Sequence, residues 1–192
     1  MLAVLISIQP RWCDKIFEFM GYDNRRPLYK KRLELRKTKP KIETPFKCYI
    51  YCTKDDSIYH SCEKFYCKKA GEFGNGKIIG EFVCDYVLSH CEMANADMAE
   101  QMSCVPREDI LKYSDGKEVF GWHISDLVIY DDPKKLSEFY RKCDKFACEG
   151  CEHLKYQRVN ADEYDYECEF LSYEIPITRP PQSWCYVEER KI

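Results

Sequence analysis

The stretch Tyr29–Pro40 has the sequence Y-K-K-R-L-E-L-R-K-T-K-P, and in its first part apolar and charged residues alternate with a period of two. This pattern is typical of a strand with one buried face. The alternation places two leucines toward a core and Glu34 on the opposite face, between Arg32 and Arg36. A carboxylate between two guanidinium groups stays ionised and orients them, so the stretch predicts a polar site. A solvated edge strand would have the same pattern.

The composition is that of a folded globular protein. The chain has 192 residues, of which 45% are hydrophobic and 15% aromatic. This length suits a single domain over residues 1–192, with an insert at 54–75 and a cysteine-rich segment at 141–178. The net charge of −3 is uneven, because residues 25–41 are basic and 162–174 are acidic and rich in tyrosine. The charge therefore excludes an overall polyanion-binding surface but allows a local basic strip.

The N-terminal run Leu2–Ile8 is apolar but too short to span a membrane. No basic residues precede it and no small-residue cleavage site follows it, so it predicts a first strand rather than a signal peptide. We therefore expect a cytoplasmic protein with no membrane association. In that compartment the thirteen cysteines are expected to be packing residues, metal ligands or reactive thiols.

Local patterns along the chain predict strands with few helices. A helix is predicted over Arg11–Met20, ending at Gly21, and a polar loop follows over Tyr22–Pro27. Short helices are predicted over Pro106–Tyr113 and Lys134–Lys142. Strands are predicted at Phe46–Thr53, Lys77–Val87 with a bulge at Gly80, Lys117–Tyr130 with an interruption around Gly121, and Ser183–Glu188. This order favours an α+β fold built on a small barrel over a doubly wound sheet.

Four stretches in this order resemble the ASCH domain, a branch of the PUA-like β-barrels: L-I-S-I-Q-P-R-W, K-R-L-E-L-R-K-T, G-K-I-I-G-E-F and F-G-W-H-I-S-D-L. Lys31, Glu34 and Arg36 match the lysine, acidic and arginine positions of the family, and Arg32 replaces a threonine. The ending R-P-P-Q-S-W-C-Y-V-E resembles larger ASCH-type proteins of phages and mobile elements. The resemblance implies a small PUA-like β-barrel with flanking helices, to which this chain adds a cysteine-rich C-terminal excursion.

The resemblance also implies a cleft between barrel and helix that binds RNA or a nucleotide-like ligand. Arg36 and Lys37 would contact phosphates, the tryptophans would stack on bases, and Glu34 would accept a hydrogen bond from a base amine. Trp12 and Trp184 suit a core equally well. The candidate ligand-binding residues are Gln9, Trp12, Glu34, Arg36, Lys37, Trp122, His123 and Trp184.

Two alternatives to simple binding stay open. The resemblance implies either an amidohydrolase of acetylcytidine, with a lysine, a threonine and a glutamate, or a ribonuclease. Lys31 matches the lysine, but Glu34 stands at the threonine position and cannot act as a hydroxyl nucleophile. Lys31, Glu34 and His123 supply a ribonuclease's acid and base, although strand alternation sets the first two on opposite faces unless a bulge intervenes. A ligand-free phage interaction module would use the acidic stretch 162–174 as its contact surface.

A cysteine cluster near the C-terminus has the spacing of metal ligands. Cys143, Cys148 and Cys151 follow the pattern C-x4-C-x2-C, and Cys168 lies further on. A C-x2-C pair closed by two more thiolates predicts a structural zinc site, with His153 as the alternative fourth ligand. Reduced cysteines or a disulfide pair are the alternatives. We interpret the following cysteines as packing residues: Cys13, Cys48, Cys52, Cys84 and Cys185.

Overall fold

The computed structural model describes residues 2–23, 26–54, 76–89, 96–142 and 174–189. Twelve strands and three α-helices lie in these ranges. The strands are β1 Ala3–Ile8, β2 Phe19–Asp23, β3 Arg26–Tyr29, β4 Leu33–Arg36, β5 Phe46–Cys52, β6 Ile78–Cys84, β7 Val87–Leu88, β8 Phe120–His123, β9 Ser125–Lys134, β10 Phe139–Lys142, β11 Glu174–Pro176 and β12 Trp184–Glu189. The helices are α1 Pro10–Phe17, α2 Ala96–Ser103 and α3 Arg107–Ser114, and a 3₁₀ turn covers Leu136–Glu138.

The strands form three hydrogen-bonded sheets. The largest has seven strands in the order β11-β10-β12-β1-β5-β6-β9, and only its β1–β5 pair is parallel. A second sheet has the order β4-β8-β7, and β2 pairs with β3 in a separate hairpin. The chain passes from the large sheet to the second sheet between β6 and β7, and it returns between β8 and β9. The α+β class is confirmed, and hydrogen bonds among the described strands do not close a barrel.

Strand β1 lies at the centre of the core and is buried on both faces. Successive side chains of β1 point to opposite faces of the sheet and therefore pack into two different clusters. Val4 and Ile6 pack into a cluster with α1, whereas Leu5 packs into a cluster with Phe139. A third cluster joins the outer face of β4 to helices α2 and α3. The other, inner face of β4 thereby carries the charged residues Glu34 and Arg36.

The predicted strands at Phe46–Thr53 and Ser183–Glu188 are confirmed within one residue as β5 and β12. The pairing of β6 with its neighbours shifts register at Gly80, which confirms the predicted bulge. A Cβ atom on Gly80 would lie 2.5 Å from the carbonyl oxygen of Val128, so only glycine allows this approach of the two strands.

The predicted helix end at Gly21 is wrong. Helix α1 ends at Phe17, and Gly21 lies in β2 with a φ of 131°. Of the residues predicted as a polar loop, Tyr22 and Asp23 pair with Pro27 and Arg26 in the β2–β3 hairpin. Backbone pairing between the two short strands has overridden the helical spacing at the end of α1.

The helix predicted over Lys134–Lys142 is also wrong. Strand β9 continues to Lys134, and only a 3₁₀ turn separates it from β10. Phe139 and Tyr140 are buried in β10, where the strand pairs with β12, and this burial favours the extended conformation. Pro133 is tolerated in β9 because this strand lies at the edge of the sheet.

Both predicted additions to the barrel fall largely outside the described residues. The insert at 54–75 is described only at residue 54. The cysteine-rich segment at 141–178 begins in β10 and ends after β11, and these two strands pair at the edge of the large sheet. The excursion therefore leaves and rejoins the fold at one place.

Candidate functional site

Lys31 and Glu34 meet in the structure, contrary to the prediction from strand alternation. Strand β4 begins only at Leu33. The carbonyl of Arg32 still accepts from the N–H of Ile124 at 2.9 Å, in the register of the β4–β8 pair, but the N–H of Arg32 donates to Met102 O on α2 at 2.7 Å, and the ladder ends there. Lys31 therefore lies outside the strand, and its Nζ is 3.3 Å from Glu34 Oε2.

Glu34 lies between Lys31 and Arg36 rather than between the two arginines that the sequence predicts. Its Oε1 is 3.1 Å from Arg36 Nη2, whereas Arg32 is exposed. The side chains of Lys31, Glu34 and Arg36 are 2%, 6% and 12% exposed. We call these three residues the buried charged group. Its net charge of +1 has little contact with water, which is a costly arrangement in a protein interior.

Backbone carbonyls complete the partners of the two cations. Arg36 Nη2 donates to Ser7 O at 2.7 Å, near the end of β1. Lys31 Nζ donates to Ser103 O at 2.7 Å, at the last residue of α2, where a helix has unpaired carbonyls. Ser7 and Ser103 could not be found from the sequence, because main-chain contacts over 29 and 72 residues leave no mark on local composition.

Three buried polar atoms on one face of the β4–β8 pair have no hydrogen bond in the described residues: Arg36 Nε, Trp122 Nε1 and Glu34 Oε2, which has only its ion-pair contact with Lys31. Glu34 and Trp122 are directly opposite each other in the two strands, and Arg36 lies two positions along β4. One acceptor and two donors thus lie on the same inner face. Buried polar atoms are nearly always hydrogen-bonded, so this set indicates a polar ligand or ordered water.

Aromatic side chains surround the buried charged group. Lys31 Nζ lies 5.3 Å from the centroid of the Trp12 ring, and the Arg11 guanidinium lies 4.9 Å from the same ring. Trp122 is fully buried, and its ring lies 5.8 Å from that of Trp184. Trp12 and Trp184 are half-buried and can meet a ligand, whereas Trp122 offers only its indole N–H.

The remaining predicted residues lie apart from this group. His123 faces Leu33 in the strand pairing and so lies on the opposite sheet face from Glu34. Its Nδ1 is 2.6 Å from Asp85 Oδ1, and its ring stacks on Tyr86 at 4.3 Å. The structure therefore does not bring the three predicted ribonuclease residues together.

Gln9 and Lys37 have local contacts of their own. The carbonyl of Gln9 accepts hydrogen bonds from the N–H groups of Trp12 and Cys13, which begin helix α1. Lys37 is exposed, and its Nζ lies 5.1 Å from the centroid of the Tyr113 ring on α3. Neither side chain is seen to contact the buried charged group.

The cysteines near the site are packing residues, as expected. Cys13 and Cys48 are completely buried, and burial raises the pKa of both thiols well above the ordinary value. A hydrogen bond with Cys52 raises the pKa of Cys13 further. These thiols stay protonated near neutral pH and are poor nucleophiles and metal ligands.

The predicted zinc ligands lie outside the described residues, and the metal site stays a prediction. They are Cys143, Cys148, Cys151 and Cys168, with His153 as the alternative. Among the residues that the structure does describe, no group of three or more metal-ligating side chains occurs. In the same part of the chain, no helix combines the length and the apolar character that crossing a membrane requires.

Comparisons with protein-family models and with curated proteins find no match. Among solved structures, the chain is similar to ASCH from Zymomonas mobilis, with a TM-score of 0.53 and 13% identity over 97% of this chain and 87% of that one. A serine-to-alanine mutant of the same protein gives the same TM-score and identity, over 97% of this chain and 88% of the other. At this identity the likeness concerns the fold alone. The chain has the fold of the ASCH proteins, as its central stretch indicates.

Proposed function

We propose that the chain binds RNA or a modified nucleotide, with a pyrimidine base at the inner face of β4 and β8. The observation that carries the proposal is the set of three buried polar atoms on that face without a hydrogen bond in the described residues, of which Glu34 Oε2 has only an ion-pair contact with Lys31. Glu34 Oε2 accepts a hydrogen bond, whereas Arg36 Nε and Trp122 Nε1 donate one each.

This set complements the pairing edge of a pyrimidine. Cytosine and uracil each present one donor and two acceptors on that edge, whereas guanine presents more donors than acceptors. A carboxylate is a suitable partner for the exocyclic amine of cytosine. The half-buried ring of Trp12 or Trp184 would stack on the base, and the excess positive charge of the buried group would attract the phosphate.

Calorimetric titration with the four ribonucleoside monophosphates tests this proposal. We expect the parent to bind cytidine and uridine monophosphate more tightly than the guanosine compound. Glu34→Gln keeps the side-chain shape but removes the charge and replaces one acceptor oxygen by a donor, so it should weaken pyrimidine binding about 10- to 100-fold.

Glu81→Gln is the matched control. Glu81 is a half-buried carboxylate on β6 that contacts Lys47 at 2.7 Å, so the substitution removes the same charge elsewhere. This variant should bind as the parent does. Equal affinities of the parent and Glu34→Gln for every nucleotide would overturn the proposed site.

A hydrolase acting on the same ligand is the second candidate. The contact of 3.3 Å between Lys31 Nζ and Glu34 Oε2 favours it, because a lysine and a carboxylate at this distance can exchange a proton during a reaction. Chromatography of acetylcytidine and of short RNA after incubation with the protein tests this candidate. Turnover that disappears in Lys31→Met supports a hydrolase, and intact substrates over the panel leave only the binding function.

A ligand-free interaction module is the third class that the sequence allows. Its expected contact surface, residues 162–174, lies almost wholly outside the described residues, and the origin in phages or mobile elements stays a prediction. Nucleotide binding that depends on Glu34 would set this class aside.

A further inference from the structure

The β2–β3 hairpin carries large apolar side chains that are exposed to solvent. Phe19, Met20 and Tyr22 are 50%, 58% and 73% exposed. The Phe19 ring lies edge-on to Tyr22 at 5.2 Å and to Tyr29 at 6.1 Å. We call Phe19, Tyr22 and Tyr29 the aromatic surface. A contiguous exposed patch of this kind marks a binding surface more often than single exposed residues do.

A bulge brings the aromatic rings to one face of the hairpin. In a regular strand Phe19 and Tyr22 would point to opposite faces, since they are three residues apart. The pairing shifts register between Phe19 and Gly21, and Gly21 has a φ of 131°, which a residue with a side chain rarely adopts. The shift allows the contact between the Phe19 and Tyr22 rings.

The hairpin begins and ends next to the candidate site. Only Glu18 separates α1 from β2, and the Glu18 carbonyl accepts from the N–H of Lys30 at 2.9 Å. The next residue, Lys31, donates its N–H to Lys15 O at 3.1 Å and has its side chain in the buried charged group. The aromatic surface and the buried site are therefore neighbouring parts of one chain segment.

The same segment concentrates the positive charge of the protein. Residues 11–39 contain ten basic and four acidic residues, a net charge of +6, whereas the rest of the chain has a net charge of −9. One of the acids, Glu18, is held by Lys30 and Lys15 at 2.9 and 3.4 Å. Exposed aromatic rings within a basic segment are the combination that binds single-stranded nucleic acids.

We propose that the aromatic surface binds the bases of a single-stranded RNA, one nucleotide of which occupies the buried site. This inference rests on the proposed function and extends it from a nucleotide to a strand. The rings stack on bases next to the recognised nucleotide, and the basic residues of the segment contact the phosphates.

Fluorescence anisotropy with a labelled oligouridylate, compared with calorimetry on uridine monophosphate, tests the inference. The parent should bind the oligomer more tightly than the monophosphate. Tyr22→Ala removes one stacking ring and should weaken oligomer binding about 5- to 150-fold while the monophosphate binds as before. Gly21→Ala keeps every ring but disturbs the bulge, so it should also weaken the oligomer complex.

Leu111→Ala is the matched control, because Leu111 is an apolar residue with 59% exposure on α3. It should bind both ligands as the parent does. Oligomer affinity no higher than monophosphate affinity, or an equal loss of both in Tyr22→Ala, overturns the inference. Self-association of the parent that Tyr22→Ala abolishes would also overturn it, since the surface would then be a protein contact. Oligomer binding that depends on Tyr22, without any monophosphate binding, overturns the proposed pyrimidine site alone.

Discussion

Replacing Lys31 by methionine removes one cation from the buried charged group and keeps most of the side-chain volume. Glu34 Oε2 then loses its contact at 3.3 Å, and it has no hydrogen-bond partner among the described residues to compensate. Ser103 O loses its donor at 2.7 Å, at the end of α2. Glu34 keeps its ion pair with Arg36, so no buried charge is left wholly unpaired. A buried acceptor without its donor costs about 1–3 kcal/mol, so the loss at Glu34 and at Ser103 together should lower the free energy of unfolding by about 2–6 kcal/mol.

Lys47→Met provides the comparison. Lys47 contacts Glu81 at 2.7 Å, a shorter distance than in the buried pair, but its side chain is 37% exposed. Pairs in contact with solvent contribute about 0–1 kcal/mol, so this variant should lose far less stability. If the distance between the charged atoms alone decided the loss of stability, Lys47→Met would be the more damaging substitution. The comparison of the two variants therefore shows the effect of burial.

Urea unfolding monitored by tryptophan fluorescence measures both variants. The double variant Lys31→Met with Glu34→Gln should lose less stability than the sum of its single variants, because both single variants remove the same contact between Lys31 and Glu34, which the sum counts twice. If Lys31→Met loses no more stability than Lys47→Met, the reasoning from burial is refuted.

Three further results are expected. Burial raises the pKa of Cys84 to about 12, whereas an unfolded thiol titrates near 9. From pH 9 to pH 12 this residue therefore lowers the free energy of unfolding by about 1.4 kcal/mol per pH unit. Cys84→Ala should make the fall of the free energy of unfolding with pH less steep, and equal slopes for the variant and the parent would contradict the raised pKa. Gly80→Ala should cost about 1–3 kcal/mol in thermal unfolding, because its Cβ meets Val128 O at 2.5 Å, and an unchanged midpoint would contradict this close approach. Elemental analysis should find about one zinc ion per chain, lost in Cys148→Ser and kept in Cys104→Ser, and a metal-free parent would refute the zinc prediction.

The fold could be predicted from sequence where a local pattern and its tertiary environment agree. Leu2–Ile8 and Phe46–Thr53 are apolar enough for buried strands, and these strands pair at the centre of the large sheet. The ordered motifs indicated the ASCH fold for the same reason, since each motif marks a strand or a turn. The Lys134–Lys142 segment failed because pairing with β12 outweighs the local helix signal.

The candidate site was harder to predict because its geometry depends on distant backbone groups. Period-two alternation separates Lys31 from Glu34, but the N–H of Arg32 donates to Met102 O and Lys31 Nζ donates to Ser103 O, so the strand ends before Lys31 and the two side chains meet. These partners lie far along the chain and supply main-chain atoms, whose positions residue type does not reveal. Glu34 and Arg36 were identified because a charged side chain on the polar face of a strand is itself a sequence signal.

The ammonium of Lys31 holds both the Glu34 carboxylate and the carbonyl of Ser103 at the end of α2. A ligand that competes for this ammonium would withdraw a proton donor from the final turn of the helix. Amide hydrogen exchange in α2 would then accelerate as the site fills, although the ligand takes only the ammonium and need not contact the helix itself. The exchange rates of the α2 amides would thus report whether the site is occupied, without a fluorescent label and without a change in the strands.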